Sequence, residues 1–215
     1  RVIGISIDGE AKAYPLRIIN YHEAVNDSVG KTPVAVTYCP LCDSSVIYDR
    51  RVNDEVLEFG ISGLLYNSNV LLYDRAKPRG KSLWSQLKME AVAGPRAGTP
   101  LKTMPLEVTS WADWLSRYPQ TDVLAAQTGH QRDYSRSPYA DYFQTPRLMF
   151  PVKPLDQRLA AKTPVLGIWS EKKLKAYPLS AFEHLRERTA IHETLGDLKF
   201  TLEYNPTAKS LRVVR

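Results

Sequence analysis

Cysteine is the scarcest informative residue here: 215 residues contain two. Two are too few for a disulfide scaffold. Because they are Cys39 and Cys42, a bond between them closes a loop too small to constrain the unfolded chain much. Histidine (four) and methionine (three) are also sparse. Met89, Met104 and Met149 form no Met-rich copper pattern and read as core fillers. No run of about 18 apolar residues exists, so no transmembrane helix is expected. The dinucleotide fingerprint, the phosphate loop and the H-E-x-x-H zinc signature are all missing. Gly60-Ile61-Ser62-Gly63 lacks the spacing of a nucleophile elbow. A basic cluster is lacking too. The charge of +6 comes from 29 basic and 23 acidic residues that are scattered. The densest run, Lys172-Lys173-Leu174-Lys175, reads as a solvated turn, and no nucleic-acid motif accompanies it. The printed chain opens on Arg1-Val2-Ile3-Gly4-Ile5, already inside a strand pattern, which reads as a start after a trimmed leader.

What is present centres on Thr37-Tyr38-Cys39-Pro40-Leu41-Cys42-Asp43. Val34 to Tyr38 upstream and Val46-Ile47-Tyr48 downstream are β-branched or aromatic and read as strands. The cysteines are therefore expected on a tight turn between strands. A thioredoxin-type pair instead opens a helix whose dipole stabilises the thiolate. A C-P-x-C turn between strands looks more like a zinc knuckle, in which backbone N–H groups point at the sulfurs. Asp43 stands where such a knuckle takes a small residue.

Around this turn the chain alternates between strand patterns and turn signals. Val2 to Ile7 and Ala11 to Tyr14 form a hairpin about Asp8-Gly9. Pro15 starts a short helix to about Tyr21. A hairpin is expected about Asn53-Asp54, a break at 60–63, a polar-tipped loop at 64–69 and a basic loop at 77–81. Tyr48-Asp49-Arg50 and Tyr73-Asp74-Arg75 end two strands that are expected to be neighbours. Ser110 caps a helix that ends at Pro119, and 121–126 reads as a strand. Residues 129–146 are irregular, with one helical turn at 139–143, and a loop of that length is usually functional or a covering flap.

The two ends of the chain resemble each other. Val2-Ile3-Gly4-Ile5 recurs as Val165-Leu166-Gly167-Ile168, and Lys12-Ala13-Tyr14-Pro15-Leu16 as Lys175-Ala176-Tyr177-Pro178-Leu179, both 163 residues on. Tyr38-Cys39-Pro40 matches Tyr204-Asn205-Pro206, 166 residues on. The fold expected is α+β and β-rich. It is read as one domain over 1–215, with hairpin–helix–hairpin units at about 1–50 and 164–215 around a central antiparallel β section at 51–163. What both copies share belongs to folding. Cys39, Cys42 and His22 face Asn205, Ala208 and Leu185, so all three point to chemistry.

Two thiolates supply half a tetrahedral site, and thiolates prefer soft ions such as Cu(I) or Zn(II). His22 is the expected third ligand. Asp43 and His130 are further candidates, with His184 and His192 behind them. The plain reading of His22 is a hydrogen-bonded structural histidine. The alternative chemistry is a dithiol–disulfide pair, with His22 lowering a thiol pKa. A third reading is a non-catalytic binding or scaffold module whose cysteines are incidental. Tyr66, Asn67, Ser68, Trp84, Gln86 and Tyr134 are candidate pocket residues, or simply members of a half-exposed sheet edge. The expected function is metal binding, with Cu(I) ahead of Zn(II). Its partners would be the ion and a protein that exchanges metal or electrons, with no nucleic acid and no membrane span.

Several motifs carry a resemblance: Ala13-Tyr14-Pro15-Leu16-Arg17-Ile18; His22-Glu23 with Val25-Asn26-Asp27; Thr37-Tyr38-Cys39-Pro40-Leu41-Cys42; Gly63-Leu64-Leu65-Tyr66-Asn67-Ser68; Leu83-Trp84-Ser85-Gln86; Thr128-Gly129; and Arg132-Asp133-Tyr134. Together they resemble the bacterial "domain of unknown function" family number 3179 over most of the chain. The resemblance implies an exported, extracytoplasmic (periplasmic) protein and supplies no activity.

Overall fold

Turn chemistry and strand alternation set the elements. The computed structural model describes residues 1–75, 81–170 and 173–214. The basic loop, except Lys81, and Lys172 lie outside the described residues. β1 (Val2–Ile7) and β2 (Glu10–Pro15) close through Asp8 and Gly9 at φ 51° and 84°, the paired positive values of a tight hairpin. α1 (Leu16–His22) follows and buries Ile18 and Ile19. It stops at Glu23, which takes φ 61° and sends its N–H back to Ile19 at 2.7 Å. β3 (Ala24–Val29), β4 (Thr32–Cys39) and β5 (Ser44–Asp49) then run as a meander.

A small hairpin, β6 (Arg51–Val52) and β7 (Glu55–Val56), turns at Asn53-Asp54. β8 (Phe59–Tyr66) and β9 (Asn69–Asp74) turn at Asn67-Ser68. Gly60 to Gly63 thus lie inside a strand, where the register shifts between Ile61 and Leu65. The expected break is a bulge. β10 (Leu83–Ser85), β11 (Glu90–Ala93), β12 (Thr103–Met104) and β13 (Glu107–Thr109) lead to α2 (Trp111–Arg117), where Ser110 accepts the Asp113 N–H at 3.2 Å. β14 is two residues, Asp122–Val123, and α3 is one turn, Ala140–Phe143. β15 (Val165–Ser170), β16 (Lys173–Pro178), a 3-10 turn (Leu179–Phe182), β17 (Thr189–Leu195), β18 (Leu198–Asn205) and β19 (Ser210–Val214) complete the described chain.

Three four-stranded sheets carry the first two-thirds, in the orders β13-β1-β2-β14, β12-β5-β4-β3 and β11-β10-β9-β8. β14 pairs parallel to β2, so the central section is not wholly antiparallel. β5 and β9 lie in different sheets, so the two Tyr-Asp-Arg strands are not neighbours.

β4 is buried on both faces. Val34, Val36 and Tyr38 join Ile3, Ile5, Tyr14 and Ile19 in one core. Ala35 and Cys39 join Leu41, Tyr48, Phe59, Leu72 and Trp84 in the other. A strand's alternating side chains make this division automatic. It delivers Cys39 to the second core at the strand's last residue.

The C-terminal strands have a core of their own, which includes Ile168, Tyr177, Phe200, Leu202 and Tyr204. Their order follows that of the N-terminal unit, with β15–β16, a helical turn, then β17-β18-β19. Val165 pairs with Pro178 as Val2 pairs with Pro15. Ala190 pairs with Glu203 as Ala24 pairs with Thr37, and Asn205 pairs with Ser210 as Cys39 pairs with Ser44. No helix of the described residues is long and apolar enough to cross a membrane.

Candidate functional site

The turn between β4 and β5 is closed by the Cys42 N–H on the Cys39 carbonyl at 3.3 Å. Asp43 follows at φ 47°. That conformation favours glycine and is tolerated by aspartate, whose short polar side chain bonds locally. Asp43 is pinned by the Tyr38 hydroxyl at 2.9 Å and by Arg1 at 3.1 Å. The backbone aims N–H groups at both sulfurs from two residues on, Leu41 to Cys39 and Ser44 to Cys42. Val70 adds a further N–H to Cys39.

The two thiols differ. Cys39 is buried and Cys42 is exposed, and both are free. Cys39 donates its S–H to Cys42, so the proton stays on the buried sulfur. That bond is the largest cause of both shifts: it lowers the Cys42 thiol to about 6 and, with burial, pushes Cys39 far up. Ser44 and Asn69 hold Cys42 down further. The Asn69 amide donates to Cys42 Sγ at 3.2 Å, and Ser44 Oγ lies 3.3 Å from the same sulfur. The effect of a helix dipole is reached here with side-chain donors.

Gln86 organises those neighbours and takes the Ser44 hydroxyl hydrogen, so Ser44 Oγ is not a donor to the sulfur. Gln86 is buried, and its Oε1 accepts from Ser44 Oγ and from Asn69 Nδ2, both at 2.8 Å. Its Nε2 donates to Thr37 Oγ1 at 3.0 Å and to the Ser44 carbonyl at 3.2 Å. Its own carbonyl accepts from Tyr48 Oη. Asn69 is fixed at its other end, where Oδ1 accepts the Leu87 N–H at 3.1 Å.

The remaining candidates fall elsewhere. His22 Nε2 pairs with Tyr134 Oη at 2.6 Å, and Tyr134 pairs with Thr128 Oγ1 at 2.6 Å. The His130 ring lies against His22 at a tilt of 43°, with ring centroids 5.3 Å apart. Partial burial first, then the positive fields of His130 and Arg132, hold the His22 imidazole below its usual range. His22, His130 and Tyr134 are thus brought together as one cluster that ties α1 to the irregular segment. Among the described residues no group of three or more His, Cys, Asp or Glu is placed to hold a metal ion. Trp84 is fully buried and donates to Asp74 at 2.8 Å. Tyr66 and Asn67 are exposed at the β8–β9 tip. His192 pairs with Thr201 in the C-terminal unit.

Sequence reasoning named Gln86 and missed Asn69, Ser44 and Thr37. A signal for Asn69 existed. It is an amide, a residue depleted in strands, at the first strand position after an Asn-Ser turn.

Fold and site together define a β-rich protein with one buried and one exposed thiol on a strand-to-strand turn. The chain belongs to the family described as Protein of unknown function (DUF3179), which matches residues 1–215. No curated protein and no solved structure matches the chain.

Proposed function

We propose that this protein is a thiol–disulfide oxidoreductase in which Cys42 is the nucleophile and Cys39 the resolving thiol. One observation carries the reading: an exposed sulfur accepts the Asn69 amide and lies 3.3 Å from Ser44 Oγ, on a tight turn it shares with a buried second thiol. Thiolates attack and thiols do not.

The Cys42 thiolate attacks one sulfur of a substrate disulfide. A mixed disulfide forms as the substrate S–S bond breaks, and the first leaving thiolate takes a proton from solvent. Cys39 then releases its proton and attacks Cys42 Sγ. The Cys39–Cys42 bond forms, and the second leaving thiolate takes up a proton equal to the one Cys39 lost. Two electrons pass to the substrate, and an external dithiol restores the pair by the reverse steps. An extracytoplasmic setting, where disulfides persist, suits this chemistry.

A second reading has its own support. The N–H groups aimed at each sulfur from two residues on are those of a metal knuckle. In that reading the pair holds a soft ion, Cu(I) ahead of Zn(II), as a two-thiolate site. The earlier third ligand, His22, is engaged by Tyr134.

A chromogenic aromatic disulfide tests the first reading. Wild-type protein should release two thiolates per chain. Cys39→Ser should release one and remain as a mixed disulfide at Cys42. Cys42→Ser should release none at neutral pH. A reduced wild-type chain that releases nothing would sink it. Anaerobic purification with elemental counting tests the second. Stoichiometric copper that is lost in both serine variants would favour a metal site.

A further inference from the structure

The stretches bonded to the Cys39–Cys42 turn expose apolar side chains. Among the described residues, six large apolar side chains, each from 41% to 54% exposed, come from three stretches that lead to the Cys39–Cys42 turn: Leu64, Tyr66, Leu87, Phe143, Met149 and Phe150. Asn69 joins Cys42 Sγ to the Leu87 backbone, and Tyr66 is the strand partner of Asn69. The register shift in β8 re-aims its outer residues, and Gly63 there takes φ 76° with open space where a side chain would stand. Asn67 and Ser68 add positive φ values of 51° and 66°. Bulges and strained turns gather beside functional sites.

The opposite wall is the segment after α3. Tyr142 donates to the Leu41 carbonyl at 3.0 Å, between the two cysteines, and accepts the Met149 N–H. Lys162 fastens it, with Nζ 3.5 Å from the Tyr142 ring centroid and 2.7 Å from the Thr145 carbonyl. The segment then reaches the β8–β9 tip. There the Asn67 side-chain amide pairs with both backbone groups of Lys153, at 2.8 Å and 3.1 Å. The tip thus already binds one stretch of this protein's own chain by its backbone.

The geometry points to an extended, cysteine-bearing polypeptide with apolar residues beside its disulfide as the occupant of this face. The occupant must bring a disulfide, because the exposed sulfur of Cys42 lies on the turn to which these stretches are bonded. It must bring apolar side chains, because a small charged disulfide leaves the rim wet. The inference rests on the exchange reading and names its substrate class.

The test compares two substrates on wild type and on Leu64→Ser/Leu87→Ser, which removes the apolar side chains without adding charge beside the thiol. With an apolar peptide carrying an intrachain disulfide, kcat/KM should fall at least about tenfold, as loss of central apolar anchors does. With the small aromatic disulfide the rate should hold, because the thiol network is untouched. Equal losses on both substrates, or none on the peptide, overturn the inference. Fluorescence anisotropy with the same peptide, its cysteines replaced by serine, separates the two levels. If wild type reacts with neither disulfide, the exchange reading fails. Peptide binding that weakens in the double variant then still supports the docking face, and no binding by wild type removes it.

Discussion

The strands β1–β5 and β15–β19 run in a similar order with several matching pairings, yet the β4–β5 and β18–β19 turns do different things. In the C-terminal unit Asn205 Oδ1 accepts the Thr207 and Ala208 N–H groups at 3.1 Å and 3.2 Å. In the N-terminal unit Cys39 sulfur accepts the Leu41 N–H from the same offset. The turn needs an acceptor at its first position, and oxygen serves as well as sulfur. The rest of the Asn205 side chain is spent on assembly, with Nδ2 on Asp113 at 2.6 Å. Ser210, in the place of Ser44, bonds Thr109 at 3.1 Å. One turn docks onto α2; the other presents a thiol. The sulfur is thus surplus to the turn's own needs, which supports a chemical role for it.

The contrast can be broken most severely at a glycine pair. A Cβ on Gly4 would land inside the Trp114 ring, whereas one on Gly167, its counterpart, meets nothing within 4 Å. Gly4→Ala should cost about 3 kcal/mol or more by displacing a buried tryptophan, and urea unfolding reads the loss.

Next comes Asn69→Ala, which removes a donor from Cys42 and not from Cys39, together with the Asn69 bonds to Gln86 and Leu87. Alkylation of Cys42 at about pH 5, below its folded value, should slow roughly tenfold, as expected for a hydrogen bond to a charged group. Trapped samples analysed by mass spectrometry give the rate. An unchanged rate would mean that Cys39 and Ser44 suffice.

Asn205→Ala should cost about 1–2 kcal/mol through the lost turn and Asp113 bonds, with no effect on thiol exchange. Gly167→Ala is the smallest change, at most a few tenths of a kcal/mol in either direction by unfolding midpoint.

The pH dependence of stability also separates the units. Cys42 falls to about 6 in the folded chain, with Cys39 the largest cause. From there up to an unfolded thiol value of about 8.5, the folded state binds fewer protons and stability rises with pH. That contribution is lost as pH falls through about 6. Cys39 is shifted the other way, so its contribution is present below the unfolded value and is lost as pH rises beyond it. The thiols together should give a maximum in mildly alkaline solution. Denaturation at a series of pH values should show it in wild type and lose it in Cys39→Ser/Cys42→Ser.

The sequence made the local pieces legible, because turns and alternation are written in short stretches. Asp8-Gly9, Pro15 and Ser110 each mark the boundary they were expected to mark. The β-rich class and the strand-to-strand setting of the cysteines followed from those pieces. What stayed hidden depends on distant pairing. Nothing local says that β5 and β9 belong to different sheets, or that Asn69 and Gln86 converge on Cys42. The surroundings of His22 were hidden for the same reason. Counted from the hairpin, His22 faces Leu185, but the β17–β18 register places Arg188 opposite it. Its Tyr134 partner is 112 residues away.

Asp113 has a consequence for how the molecule is made. One of its oxygens accepts Thr109 and Arg117, both close in sequence, and the other accepts Arg188 and Asn205. Its neighbour Trp114 packs with Val2 and Ala13. The receiving half of this latch is therefore complete long before the last strands are synthesised, and the C-terminal unit, with its separate core, arrives at a finished surface. Ribosome-bound chains halted after residue 164 should already resist protease over the first three sheets.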